Sequence, residues 1–180
     1  MRGTYMNLDE KLVENKVIKE VDVTKYKITD ISQIFTVLAF IVLFAIAYFD
    51  TQNTLVYLLC TLIFLLCNKF PHELSHYLIG RIQGFKCTVK FGFFMSECRT
   101  YGVQTYKQVI AQSLAPLYIY LPVTIILLLS NKDLSIRLLI LSLFVYAFGC
   151  MIGDFIYVYT AFTHKNAKFT DNGHTLIIEK

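Results

Sequence analysis

Four long apolar runs alternate with shorter polar stretches along the chain. Ile31 to Phe49 gives 19 residues in which Ser32, Gln33 and Thr36 are the only polar members. Leu55 to Cys67 is apolar apart from Thr61, and the pattern resumes from His72 to Ile79, beyond Asn68-Lys69-Phe70-Pro71. Val109 to Leu129 gives 21 residues with Gln112, Ser113, Pro116 and Pro122 inside it, and Leu138 to Phe162 gives 25 with one acid, Asp154. About 20 predominantly apolar residues cross the hydrocarbon core of a bilayer. The pattern therefore predicts spans at about 31–49, 55–79, 109–129 and 138–162. Prolines within two of them predict kinks, because each removes a backbone hydrogen bond.

Between the second and third runs the period changes. Cys87, Val89, Phe91 and Phe93 alternate with Thr88, Lys90 and Gly92, which is the period of a half-buried strand. A second strand through Arg99 to Thr105 makes a short hairpin over 86–106. Residues 1–30 interleave six acids with six bases and predict a solvated segment, as does the tail 163–180. The expected fold class is an all-α polytopic membrane protein: about four transmembrane helices over 31–162, with the hairpin on the cytoplasmic side between helices two and three.

Composition strengthens the membrane reading and charge orients it. Hydrophobic residues make up 56% of the 180 and charged residues 17%, against roughly 25% charged in ordinary soluble domains, and the mean hydropathy is +0.53. A net charge of +4 is too small to imply a nucleic acid or another polyanion as partner. Lysine and arginine number six in 1–33, none in 50–54, six in 68–107, two in 131–137 and three in 163–180. Placing the first, third and fifth of these segments inside puts 15 of the 17 on the cytoplasmic face, so both termini are expected there, with the cell membrane as location. The five cysteines show no C-x-x-C spacing. They read as small apolar residues, not as a disulfide framework.

One motif carries chemistry. His72-Glu73-Leu74-Ser75-His76 is H-E-x-x-H. On a helix its two histidines stand one turn apart on one face, within reach of a single zinc ion, with the glutamate beside them as a base for a water molecule. Three ionisable groups in five residues of an apolar run also need a reason, and a metal supplies one. The bland alternative is a set of polar residues at a helix end facing water. A catalytic zinc site takes three protein ligands and keeps one open position. The candidates for the third are Asp154, Glu97, Asp171, His164 and His174. Depth separates them: His72 lies about 17 residues into its span, roughly 26 Å, and Asp154 about 16 into its own, roughly 24 Å. Asp154 is the expected ligand, against the alternative of a lone aspartate bonded to a Tyr or Ser. Gln108, Gln112 and Ser113 are candidates to line a polar path inward.

The stretch His72 to Leu78, followed by Gly84-Phe85-Lys86, Leu114-Ala115-Pro116, Gly153-Asp154 and the tail from Asp171 to Ile178, resembles the zincin peptidases long known as a domain of unknown function and related to the site-2 proteases. The resemblance covers residue 55 to the end. It implies a zinc metallopeptidase working in or at the membrane on a membrane protein or peptide, with His72, His76 and Asp154 as zinc ligands and Glu73 as the catalytic glutamate. The aspartate here stands in Gly153-Asp154-Phe155, whereas site-2 proteases usually have Asn-Pro-Asp-Gly or Leu-Asp-Gly. The competing reading is a non-catalytic or decayed zinc-binding membrane protein of structural or regulatory role. A metal transporter would need further acids or histidines along a path, and the apolar runs hold none beyond this cluster.

Overall fold

A computed structural model describes residues 17–22, 27–49, 54–92, 96–173 and 175–179. Expectations for residues 1–16, for the 50–53 loop, for Phe93 and for His174 fall outside these. In chain order the elements are β1 (Val17–Asp22), α1 (Lys27–Phe49), α2 (Thr54–Cys67), α3 (Lys69–Ile82), β2 (Lys86–Phe91) and β3 (Ser96–Tyr101). Then follow β4 (Val103–Gln104), α4 (Tyr106–Ser113), α5 (Ala115–Ser130), α6 (Leu134–Cys150), α7 (Ile152–Thr163), β5 (Lys168–Asp171) and β6 (Thr175–Glu179).

The all-α expectation is overturned. Among the described residues six strands form two antiparallel sheets, one ordered β1-β6-β5-β4 and the other a β2-β3 hairpin. The larger sheet joins both segments that were expected to be solvated: Val21 of β1 faces Leu176 of β6, and Ile178 of β6 faces Phe169 of β5. These short strands bury their apolar residues against the helices. Val21, Phe169, Leu176 and Ile178 are almost wholly enclosed and pack on Val109 of α4 and on Tyr157 and Ala161 of α7. Each such side chain contributes roughly 1.5–3 kcal/mol on burial. Lys19, Glu20 and Lys168 are exposed, while Glu179 is buried and Asp171 lines the cavity described below; these charges give the segments their solvated appearance in sequence.

The four-span expectation is overturned with it. Among the described residues one helical stretch, Tyr106–Ser130, made by α4 and α5 in succession, is long and apolar enough to cross a membrane. The stretch made by α6 and α7 qualifies only as a pair bent by 50°, and Gln33–Ile46 is a shorter apolar helix. The apolar runs are interrupted by turns that hydropathy does not register. Asn68 separates α2 from α3 and is buried, its carbonyl accepting from the Tyr120 hydroxyl at 3.2 Å. Met151, fully buried, separates α6 from α7. The hairpin expected over 86–106 exists as β2 and β3, paired from Lys86–Tyr101 to Phe91–Ser96. Beyond Gly102, at φ +129°, the chain leaves the hairpin, and Val103–Gln104 pairs with β5 instead.

Candidate metal centre

Helix α3 presents the motif. His72 and His76 share a face, their ring centroids 4.9 Å apart and their planes at 77°. Past the last turn of the helix comes Gly84, whose φ of +87° is open to glycine at no steric cost, and the chain turns directly into β2. Asp154 comes from the first turn of α7, where the helix dipole favours a carboxylate. Its Oδ2 lies 3.4 Å from His72 Nε2 and its Oδ1 3.4 Å from His76 Nε2, while the two Nε2 atoms are 3.2 Å apart. One ligand-type atom from each of the three residues falls within 4.8 Å of the others. The 50° bend between α6 and α7 gives α7 its own direction and starts the new helix next to the aspartate.

The tautomer of His76 follows from its partner. Nδ1 lies 2.8 Å from the Gln112 carbonyl oxygen, an atom that only accepts, so Nδ1 carries a proton and Nε2, facing Asp154, is the nitrogen left to bind a cation. Metal-bound histidines are commonly held by such a bond from the second ring nitrogen to a carbonyl. Gln112 is itself held from two sides: its Nε2 donates to Thr100 Oγ1, and its Oε1 accepts from Gln104 Nε2 at 2.7 Å. The acceptor for His76 is thereby tied to β3 and β4. His72 Nδ1 is buried with no hydrogen-bond partner among the described residues, and the buried Asp154 Oδ2 has only the His72 imidazole, at 3.4 Å. A buried carboxylate with one oxygen 3.4 Å from each of two imidazole nitrogens, themselves 3.2 Å apart, fits a divalent cation better than a hydrogen-bonded core. Two histidines and one aspartate are also a donor set that zinc accepts.

The cluster opens on a cavity of about 140 Å³, shared by Glu73, Tyr157 and Asp171. Glu73 is 9% exposed. Of the other candidates for a third ligand, Glu97 and Asp171 border the cavity without joining the cluster. Glu97 lies 3.8 Å from Lys90 Nζ and 3.7 Å from Arg99. Asp171 Oδ1 accepts from the Gly173 N–H at 2.8 Å, and the Thr100 backbone N–H bonds the same carboxylate. Burial raises the Asp171 carboxyl to about 6 in spite of these two donors. His164 turns to its own helix end, Nδ1 3.0 Å from the Thr160 carbonyl. Gln112 and Ser113 border the cavity as expected. Gln108 instead accepts from the Thr105 N–H at 2.9 Å and closes the start of α4. Sequence reasoning did not single out Gln104, Thr100 or Tyr157. Nothing in their spacing marks them, and only the packing of β4 and α7 brings them here.

Fold and site together define an α+β protein whose helices enclose a His-His-Asp cluster with an adjoining glutamate. Comparison with protein-family models, with curated proteins and with solved structures gives no match.

Proposed function

We propose that this protein is a zinc-dependent peptidase that cleaves a peptide or membrane protein at a lipid bilayer. The observation that carries the reading is the convergence of His72, His76 and Asp154 beside the buried Glu73, in the H-E-x-x-H arrangement that the resemblance to zincin peptidases links to hydrolysis. A zinc ion held by these three residues supplies Lewis acidity to a scissile carbonyl and acidity to a water molecule.

The chain's own groups perform the remaining steps. The Glu73 carboxylate takes a proton from the attacking water as the water oxygen bonds to the carbonyl carbon. The π pair moves onto the carbonyl oxygen. Glu73 then returns that proton to the amide nitrogen as the C–N bond breaks, leaving a carboxylic acid and an amine. His76 stays fixed throughout by its bond to Gln112.

An extended substrate fits the hairpin wall. The Thr100 N–H points to Asp171, away from β2, and in an antiparallel pair every second residue shares that direction. The backbone groups of Ser96 and Cys98 therefore face away from β2 as well, and both residues border the cavity. They are placed to pair with an added strand. The bilayer enters through the apolar surface. Ile34, Phe35, Leu38, Ile41 and Val42 on α1, and Val123, Ile125, Ile126 and Leu129 on α5, are all exposed, and large exposed apolar faces are the kind that contact a membrane.

Zinc content tests the centre. The purified chain is expected to hold about one zinc, and Asp154→Ala and His76→Ala far less, while Asp171→Ala keeps it. Equal zinc in wild type and both cluster variants would remove the basis of the proposal.

A further inference from the structure

Tyr157 is a residue that neither the motif nor the metal cluster uses. It stands three residues after Asp154 on α7, so the two side chains share a helix face. Its ring is 9% exposed and packs in the core with Val109, Leu176 and Ala161, while the residue also borders the cavity of Glu73, His72 and His76. Its hydroxyl is buried and has no hydrogen-bond partner among the described residues. Buried tyrosine hydroxyls ordinarily find a partner, and an exception calls for an explanation. Packing does not provide one, since phenylalanine fills the same space and strands no polar atom.

We infer that the Tyr157 hydroxyl is a catalytic hydrogen-bond donor, directed at the carbonyl oxygen of the scissile peptide as it becomes an oxyanion. The inference rests on the peptidase reading above. A ring clamped by the core holds its donor in place before the reaction, and a fixed donor loses no reorganisation energy when charge develops. The phenol keeps its proton while donating. It therefore stabilises the tetrahedral adduct formed by the water addition without entering the proton path from water to Glu73 to the leaving amine. Its position one turn from Asp154 puts both residues on one face of α7, and both line the cavity.

The test uses the full-length, zinc-loaded chain in detergent and the variant Tyr157→Phe, with two readouts. In hydrolysis of a fluorogenic peptide, kcat is expected to fall about 100-fold, with KM within about threefold, and zinc content and thermal stability maintained. In calorimetric titration with a phosphinic dipeptide, whose tetrahedral anion copies the adduct, the variant is expected to bind at least about tenfold more weakly. An unchanged kcat in an active enzyme, or phosphinate affinity equal in the two proteins, overturns the inference. If no peptide is hydrolysed by wild type, the peptidase reading fails. The titration still decides the donor, because a wild type that does not prefer the phosphinate over Tyr157→Phe refutes it.

Discussion

Gly80 provides a sharp check on how the hairpin is packed against the motif helix. It lies one turn beyond His76, and a Cβ added there would sit 2.5 Å from Cys87 Sγ and 3.4 Å from Gln112 Nε2. Non-bonded heavy atoms rest at about 3.5–4.0 Å, so the sulfur is overlapped by about 1 Å. Cys87 has little room to yield, being buried with its Sγ 3.8 Å from Thr100 Oγ1. Overpacking of this kind costs about 1–3 kcal/mol. Replacing a helical glycine by alanine works the other way by about 0.5–1 kcal/mol. Gly80→Ala alone is therefore expected to lower stability by about 1–2 kcal/mol, a fall of about 2–8 °C in Tm for a chain of this size. In a Cys87→Ala background the overlapped atom is gone and only the helix contribution remains. The same substitution then raises stability by about 0.5 kcal/mol. Unfolding of the four proteins, followed by circular dichroism, gives the coupling directly. A Gly80→Ala that stabilises the wild-type background, or that acts identically in both, would refute the packing of α3 on β2 described here.

Other expectations follow from the same geometry. Gln104→Leu removes the donor to Gln112 Oε1 and leaves a buried amide oxygen unpaired, at a cost of about 1–3 kcal/mol. Because Gln112 also holds His76, zinc affinity in that variant is expected to fall about 10-fold or more, measured by competition with a chromophoric chelator; unchanged affinity would separate the two bonds. The Asp171 carboxyl, raised from 3.8 to about 6, binds its proton more tightly folded than unfolded. Stability is then lost as pH rises from about 4 to about 6, by up to about 3 kcal/mol at 1.36 kcal/mol per unit. Asp171→Asn is expected to flatten that slope in urea titrations, and a wild type whose stability rises over the same interval would contradict it. Finally, the exposed apolar faces of α1 and α5 predict that the expressed protein sediments with membranes and resists carbonate extraction. Recovery in the aqueous supernatant would contradict the bilayer assignment.

The legibility of this protein in its sequence was uneven for physical reasons. H-E-x-x-H was readable because four residues make one helical turn, so spacing alone puts both imidazoles on one face. Asp154 was readable because a carboxylate in an apolar run is costly enough to need a partner, and the structure does bring it to within 3.4 Å of both histidines. The strands at the chain ends were not readable. Val17–Asp22 and Lys168–Asp171 are short and carry charges among few apolar residues, and the apolar partner of Val21 is Leu176, 155 positions along the chain. Hydropathy likewise counted Leu138 to Phe162 as one span because Met151 and Gly149 are apolar, although the chain turns there. Tyr157 was invisible among 12 tyrosines, since an unpaired hydroxyl is a property of packing and not of spacing.

The most direct measurement of the central claim is peptide hydrolysis by Glu73→Gln beside wild type, with zinc content determined on the same samples. The account predicts about one zinc per chain in both, cleavage by wild type, and a rate at least about 100-fold lower in the variant. Cleavage at the wild-type rate by a zinc-loaded Glu73→Gln protein would contradict it.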